Sequence, residues 1–215
     1  MNQEKWIEDL SLKYHWKHTY SPIICLTLAL STLSEQVENG FFIGKQEFTI
    51  HSHPSFEKDI ELKGKISKKK HMHPMDYIKC HTEVVENDAP LMDMHSTLIK
   101  MNQPRIKKPE TTQTKTESFI AISKEQVHKF NELSGDPNSI HSGETPIVQA
   151  MFILLLIEDY LSTKDRFIKS GEMNYLIPIE ADCKLFFSWE SPRKLIGIVN
   201  DVICFTLTIR EEFIC

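Results

Sequence analysis

Residues 130–141 of this chain read FNELSGDPNSIH, a polar stretch between a helical segment and an apolar one. Upstream of it, Ser123 and Gln126 have the three-residue spacing of a helix capping box. The helix that this box predicts carries apolar residues on one face, at Val127, Phe130 and Leu133. Gly, Pro and Asn within the quoted stretch do not continue a helix, so the sequence predicts a helix that ends in a polar turn.

Two side chains of this turn, Asp136 and His141, can each accept or release a proton. They lie five residues apart, and a turn can direct both toward one point, which favours a catalytic pair. A second interpretation stays open on spacing alone. Asp and Asn in such turns often cap backbone groups, and a histidine after a turn is often structural.

The same stretch resembles the signature of the MaoC-like, (R)-specific enoyl-CoA hydratases. That signature is an aromatic residue, two variable residues, Leu, Ser, Gly, Asp, a variable residue, Asn, Pro, an aliphatic residue and His. Ser139 replaces the usual Pro, and the other defined positions match: Phe130, Leu133, Ser134, Gly135, Asp136, Asn138, Ile140 and His141. The resemblance implies a lyase that adds water to a trans-2-enoyl thioester to give an (R)-3-hydroxyacyl thioester, or catalyses the reverse dehydration.

The resemblance also implies a role for each residue of the site. Asp136 would take a proton from the attacking water, His141 would orient the water and relay the proton to the α-carbon, and Asn138 would fix the loop. Backbone N–H groups at the start of the next helix would stabilise the enolate oxygen. The residues expected to bind substrate are Ser134, Gly135, Gln149 and Ala150, the last standing where the family has Gly. No cofactor and no metal are expected.

An order of elements occurs twice along the chain. In each half a Ser-Pro or Thr-Pro pair opens an apolar helix, and strand-like runs follow that helix. The first half is predicted to have its helix over 23–37 and strands over 41–50, 56–67, 77–86 and 91–101. The second half is predicted to have a short strand over 118–122, the apolar helix over 147–161 and strands over 173–179, 183–189, 193–200 and 202–210.

The repeat and the resemblance together predict an α+β double hotdog, with two antiparallel sheets, each around a long central helix, joined into one pseudo-dimeric sheet. We expect an N-terminal, non-catalytic hotdog (1–101), a linker rich in Thr, Lys and Pro (102–117), and a C-terminal hotdog with the catalytic loop (118–215). A pseudo-dimeric monomer and a homodimer both fit. Residues 142–145 form a shorter segment than the family has here, so the pocket should be more open or covered by other parts of the chain.

Composition restricts the class of partner. The chain has 215 residues and a net charge of −5, which argues against nucleic acid as the main partner. Its five cysteines form no CxxC pair and indicate a reducing compartment. The acidic N-terminus and the short apolar run over 22–33 predict a cytoplasmic protein without a signal peptide or membrane span. The expected partner is an acyl-CoA or acyl carrier protein thioester, and an acyl-thioesterase or a non-catalytic acyl-thioester-binding protein stays an alternative.

Basic and histidine clusters give weaker signals. Lys65 and the run 68–70 predict a charged hairpin tip, or else a patch for the phosphates of CoA or of a carrier protein. Histidines at 51 and 53, and at 71 and 73, would share a face of a strand. Because no Cys or acidic partner stands at ligand spacing, solvated turn histidines are favoured over a metal site.

Overall fold

The computed structural model describes residues 3–12, 21–53, 60–101 and 118–213. The helices in these ranges are α1 (Gln3–Leu10), α2 (Pro22–Ser31), α3 (Lys124–Ser134) and α4 (Ala150–Ser162), with 3-10 turns at Ser34–Gln36 and Ser139–His141. The strands are β1 (Phe42–Ile50), β2 (Ile60–Met72), β3 (Met75–Glu86), β4 (Ala89–Met101), β5 (Ser118–Ile122), β6 (Ile168–Tyr175), β7 (Cys183–Ser191), β8 (Lys194–Val199) and β9 (Val202–Glu212). The predicted linker, 102–117, lies outside the described residues.

All strands of the described residues form one sheet, in the order β2-β3-β4-β1-β6-β9-β8-β7-β5. Strands from the first half and the second half meet only where β1 pairs antiparallel with β6, with Lys45 opposite Asn174 and Thr49 opposite Ser170. Every other strand pairs within its own half, also antiparallel. The predicted double hotdog, with two sheets joined edge to edge, is therefore confirmed.

The two apolar helices, α2 and α4, occupy the inner side of this sheet and contact each other. The predicted Pro start of α2 is confirmed, since Ser21 Oγ accepts a hydrogen bond from the N–H of Ile24 at 3.1 Å and Pro22 is the first helical residue. The side chains of α2 and α4 are buried on nearly all sides of each helix. Each buried Leu, Ile or Phe stabilises the fold by roughly 1.5–3 kcal/mol. No helix within the described ranges has the length and apolar character needed to cross a membrane.

The second apolar helix begins later than the sequence predicts, at Ala150. Ile147 forms an isolated antiparallel bridge with Glu180, and the N–H of Val148 donates to the carbonyl of Ile179 at 2.8 Å. Because this segment is held extended by another part of the chain, the predicted helical start over 147–149 was wrong.

The first apolar helix also ends earlier than predicted, at Ser31 instead of residue 37. Thr32 Oγ1 donates to the carbonyl of Ala29 at 2.7 Å, a local bond that competes with continuation of the helix. Leu33 then packs with Phe41 in a second, smaller core cluster. The chain therefore turns away from the helix axis to fill that cluster.

The predicted charged hairpin is present, but its turn lies a few residues after the lysine run, which belongs to the last part of a strand. Lys65 and residues 68–70 belong to β2, which runs to Met72 before the chain turns at His73-Pro74. Lys69 Nζ donates to the carbonyl of Gln36 at 2.9 Å. An exposed edge strand tolerates this composition because charged side chains discourage pairing with another chain.

Candidate active site

Both ends of α3 agree with the prediction, with a capping box at its start and a polar turn after its end. Ser123 Oγ accepts from the N–H of Gln126 at 3.2 Å, and Gln126 Oε1 accepts from the N–H of Ser123 at 2.9 Å. Gly135 follows the helix with φ 66°, a left-handed conformation that glycine adopts at little cost. Beyond it, Asp136 Oδ1 accepts a hydrogen bond from the N–H of Asn138 at 2.9 Å. One oxygen of Asp136 therefore caps the turn, and Oδ2 is left for another partner.

That second oxygen faces His141. His141 Nε2 lies 3.4 Å from Asp136 Oδ2, while His141 Nδ1 lies 2.7 Å from the carbonyl oxygen of Ile147. A carbonyl oxygen only accepts, so Nδ1 carries the proton and donates it. Burial lowers the pKa of His141 from its ordinary 6.5, against smaller opposing effects of the Ile147 carbonyl and the Asp136 charge. The imidazole is therefore neutral near pH 7, with the Nε2 lone pair directed toward the carboxylate.

Asn138 connects the loop over 134–141 to the N-terminal half. Its Nδ2 donates to the carbonyl of Phe41 at 2.8 Å, and its Oδ1 accepts from the N–H of Gly40 at 3.0 Å. A third bond crosses the same boundary, from the N–H of Ser139 to Asn39 Oδ1 at 3.2 Å. Sequence reasoning missed these partners, because 39–40 lie between the predicted helix over 23–37 and the predicted strand over 41–50.

A cavity of about 580 Å³ lies beside the Asp136–His141 pair. Its C-terminal lining carries polar groups of the loop over 134–141 and of the start of α4. Its N-terminal lining is largely apolar and includes Leu30, Leu33, Val37, Phe41, Ile43 and Leu98. A volume of this size suits a small ligand or an acyl chain. The C-terminal half thus contributes the ionisable pair to the cavity, and the N-terminal half contributes an apolar wall.

The four residues expected to bind substrate differ in position. Gln149 and Ala150 line the cavity at the N-terminus of α4, where backbone N–H groups of the first turn have no partner within the helix. Ser134 also lines it, with Oγ donating to the carbonyl of Asn131 at 3.2 Å. Gly135 is not among the lining residues, and its place in the structure is the turn itself.

Tyr175 is a further polar residue of the cavity, which the sequence analysis did not single out. Its hydroxyl lies 2.9 Å from the carbonyl oxygen of Ala150 and 2.8 Å from Gln46 Oε1, so it donates its single proton to one of these acceptors at a time. Burial raises the pKa of Tyr175 well above its usual value, which keeps the phenol protonated. Tyr175 therefore fixes the first residue of α4 to the strand pair that joins the two halves.

Comparisons with known proteins agree with this architecture. No model of a known protein family matches the sequence, and no curated protein matches it. The structure is similar to HtdX from Mycobacterium tuberculosis, with a TM-score of 0.76 and 12% identity over 95% of this chain and 93% of that chain. It is similar to a MaoC-like dehydratase from Phytophthora capsici, with a TM-score of 0.66 and 12% identity over 98% and 93% of the two chains. A third similar structure, also from M. tuberculosis, is described as a double hotdog fold; it has a TM-score of 0.61 and 9% identity over 98% and 86%.

The fold is therefore that of the double hotdog proteins. Within that class the chain shares its architecture with MaoC-like dehydratases, so the resemblance predicted from residues 130–141 is confirmed at the level of the fold. The loop on which that resemblance rests lies at the cavity, with Asp136 and His141 facing each other.

Proposed function

We propose that this protein is a hydratase or dehydratase that interconverts trans-2-enoyl thioesters and (R)-3-hydroxyacyl thioesters. The observation that carries the proposal is the 3.4 Å separation of Asp136 Oδ2 and His141 Nε2 at the edge of the cavity. With Nδ1 protonated, both of these atoms are acceptors. Two acceptors at this distance are suited to hold the two hydrogens of one water molecule.

The reaction follows from that arrangement. As the water oxygen bonds to the β-carbon, Asp136 accepts the proton that the water loses, and the electrons of the double bond move toward the thioester carbonyl. The Asp136–His141 pair then delivers that proton to the α-carbon, so that the elements of water have been added. Dehydration runs through the same steps in reverse. General acid–base groups positioned in this way typically contribute about 10²- to 10⁴-fold to the rate.

The negative charge that develops on the thioester oxygen needs hydrogen-bond donors. The first turn of α4 presents backbone N–H groups at the cavity wall, and the helix dipole adds positive potential there. Ala150 retains the N–H that the family's Gly would provide. The Tyr175 hydroxyl, bound to the carbonyl of Ala150, holds this backbone in position.

The apolar N-terminal wall gives a place for the acyl chain. Its residues form part of the smaller core cluster and face the same cavity as the ionisable pair. The N-terminal half would then bind the acyl chain without contributing an acid or a base. The carrier, CoA or acyl carrier protein, belongs to the thiol end of the substrate and stays open in this proposal.

The proposal is tested by following the enoyl-thioester absorbance of enoyl-CoA substrates of several chain lengths, with and without the Asp136→Asn change. We expect loss of absorbance with the native chain and almost none with the variant. Asp182→Asn is a matched control, because Asp182 Oδ1 also accepts from a backbone N–H, that of Lys124 at 3.0 Å, but Asp182 does not line the cavity.

Three results would contradict the proposal. Release of free thiol without hydration would favour an acyl-thioesterase. Ligand binding without turnover, under conditions where a known hydratase works, would favour a non-catalytic binding protein. Turnover unchanged by Asp136→Asn would remove the Asp136–His141 pair from the mechanism.

A further inference from the structure

The outer face of the N-terminal sheet carries a cluster of histidines and a carboxylate that the proposed reaction does not use. His81 lies on β3, and Asp93 and His95 lie on β4; one ligand atom from each lies within 4.8 Å of the other two. The register brings them together, since His81 is paired with His95 and Asp93 is two residues away on the same face. The cluster lies on the side of the sheet away from the helices and the cavity. The neighbouring strand residues Thr82, Met94 and Ser96 are buried on the opposite side.

A fourth residue orients the carboxylate. His51 Nε2 lies 2.9 Å from Asp93 Oδ2, and His81 Nε2 lies 4.0 Å from Asp93 Oδ1. One oxygen of Asp93 is therefore held by His51 while the other faces the remaining members of the cluster. Carboxylates that bind metals are commonly held by such a hydrogen-bond partner, which fixes their orientation.

The rings of His81 and His95 lie nearly parallel, with their centroids 4.2 Å apart and an interplanar angle of 9°. Each ring directs its nitrogen lone pair within its own plane, so coordination of one ion by both residues requires one ring to turn about its side-chain bonds. A metal ion requires its histidine ligands in the neutral form.

We infer that His81, Asp93 and His95 form a binding site for a divalent transition-metal ion such as Zn²⁺, with His51 holding Asp93 from behind. Two imidazole nitrogens and one carboxylate oxygen suit Zn²⁺, Co²⁺, Ni²⁺ or Cu²⁺, whereas Mg²⁺ and Ca²⁺ prefer sets of oxygen ligands. His95 is exposed, which leaves a further coordination position open to solvent. The carboxylate of Glu83, paired with Asp93 across the strands, adds negative charge on the same face.

Such a site would connect three segments of the N-terminal half. It would link β3 to β4 directly and, through His51, to the residue that follows β1. Since these strands carry the apolar wall of the cavity on their other face, bound metal would stabilise the half of the protein that we expect to hold the acyl chain. The inference does not depend on the proposed function, because it concerns binding and stability only.

The test uses the full chain, freed of metal with a chelator and then titrated with ZnCl₂ or with MgCl₂. We expect one Zn²⁺ per chain by calorimetry and, at about one hundred times the dissociation constant, a rise in melting temperature of about 5–10 °C. MgCl₂ should leave the melting temperature unchanged. Co²⁺ in place of Zn²⁺ should give visible absorption bands of a bound, non-octahedral ion.

Variants distinguish this site from other histidines. His95→Gln and Asp93→Asn should lose the Zn²⁺ stoichiometry and the thermal shift, whereas His71→Gln should keep both. His71 is a matched control, because it is an exposed strand histidine paired with a carboxylate, Asp76, outside the cluster. Absence of Zn²⁺ binding by the native chain, or undiminished binding by both cluster variants, would overturn the inference.

Discussion

The side-chain amide of Asn138 donates a hydrogen bond to the backbone carbonyl of Phe41 at 2.8 Å, across 97 positions of sequence. The bond joins the loop that carries Asp136 and His141 to the segment of the other half that enters the cavity wall. Its position explains how the ionisable pair and the apolar wall are held in a fixed relation, although they belong to different halves of the sheet.

Asn138→Ala should therefore lower both activity and stability. The change leaves the N–H of Gly40 and the carbonyl of Phe41 without this partner, which should reduce the free energy of unfolding by about 1–2 kcal/mol. Turnover per folded molecule should also fall, because the loop is no longer fixed against the cavity wall. Asn174→Ala, which removes an amide bound to Glu172 outside the cavity, is the control and should retain turnover. Equal turnover in the two variants would argue against a positioning role for Asn138.

Asp136 and His141 should act as one unit. Asp136→Asn or His141→Ala alone should reduce turnover by about 100-fold or more, and the double variant should be little worse than either. Asp136→Asn keeps an oxygen that can accept from the N–H of Asn138, so its free energy of unfolding should stay within roughly 1 kcal/mol of the native value. Rates and melting curves are measured on the same samples. A variant that melts early and turns over normally would favour a purely structural turn.

The stability of the protein should depend on pH through His141. Burial lowers the pKa of His141 below its ordinary 6.5, so the unfolded chain binds more protons than the folded chain between these two values. The contribution of His141 is therefore fully present above 6.5 and is lost as the pH falls toward the lowered pKa. Denaturant unfolding from about pH 8 to about pH 5 should give a shallower decline for His141→Gln than for the native chain. Parallel declines would mean that the imidazole is not protected from protonation by burial.

Tyr175→Phe should disturb the start of α4 without removing a contact of Asp136 or His141. The phenol donates to the carbonyl of Ala150 or to Gln46 Oε1, and its removal leaves both acceptors without that donor. We expect a loss of about 1 kcal/mol in the free energy of unfolding and a fall in turnover of up to about tenfold. Tyr160→Phe is the matched control, since the Tyr160 hydroxyl accepts a long 3.4 Å bond from Trp189 and Tyr160 does not line the cavity. The same activity in both variants would leave Tyr175 with a structural role only.

Residues 118–215 expressed separately should not behave as a monomer. In the full chain β6 is paired with β1, and removal of the N-terminal half exposes the backbone groups of β6 along that edge. Size-exclusion chromatography should show aggregation or self-pairing of the fragment, in contrast to the full chain at the same concentration. A well-behaved monomeric fragment would mean that the second hotdog does not need its partner.

The local features of this chain were determined by the sequence itself. The capping box at Ser123 and Gln126, the end of α3 at the polar turn and the Pro start of α2 depend on residues close together in sequence, so their patterns are visible without a structure. Most strands within the described residues were predicted with shifted ends, because alternation of apolar and polar residues reflects one buried face. The strand predicted over 173–179 was largely wrong, since β6 spans Ile168–Tyr175. Asp136 and His141 could be singled out because a turn of six residues holds both.

The remaining features were decided by contacts between residues that are distant in sequence. The helix expected from Ile147 begins at Ala150 because the bridge between Ile147 and Glu180 holds the preceding backbone extended, and neither residue signals that bridge locally. The contact of Asn138 with Phe41 and the grouping of His51, His81, Asp93 and His95 likewise depend on which strands pair and in which register. The register of each strand depends on which of its faces is buried against the common core. That core is formed by the entire chain, so no short stretch of sequence determines the register.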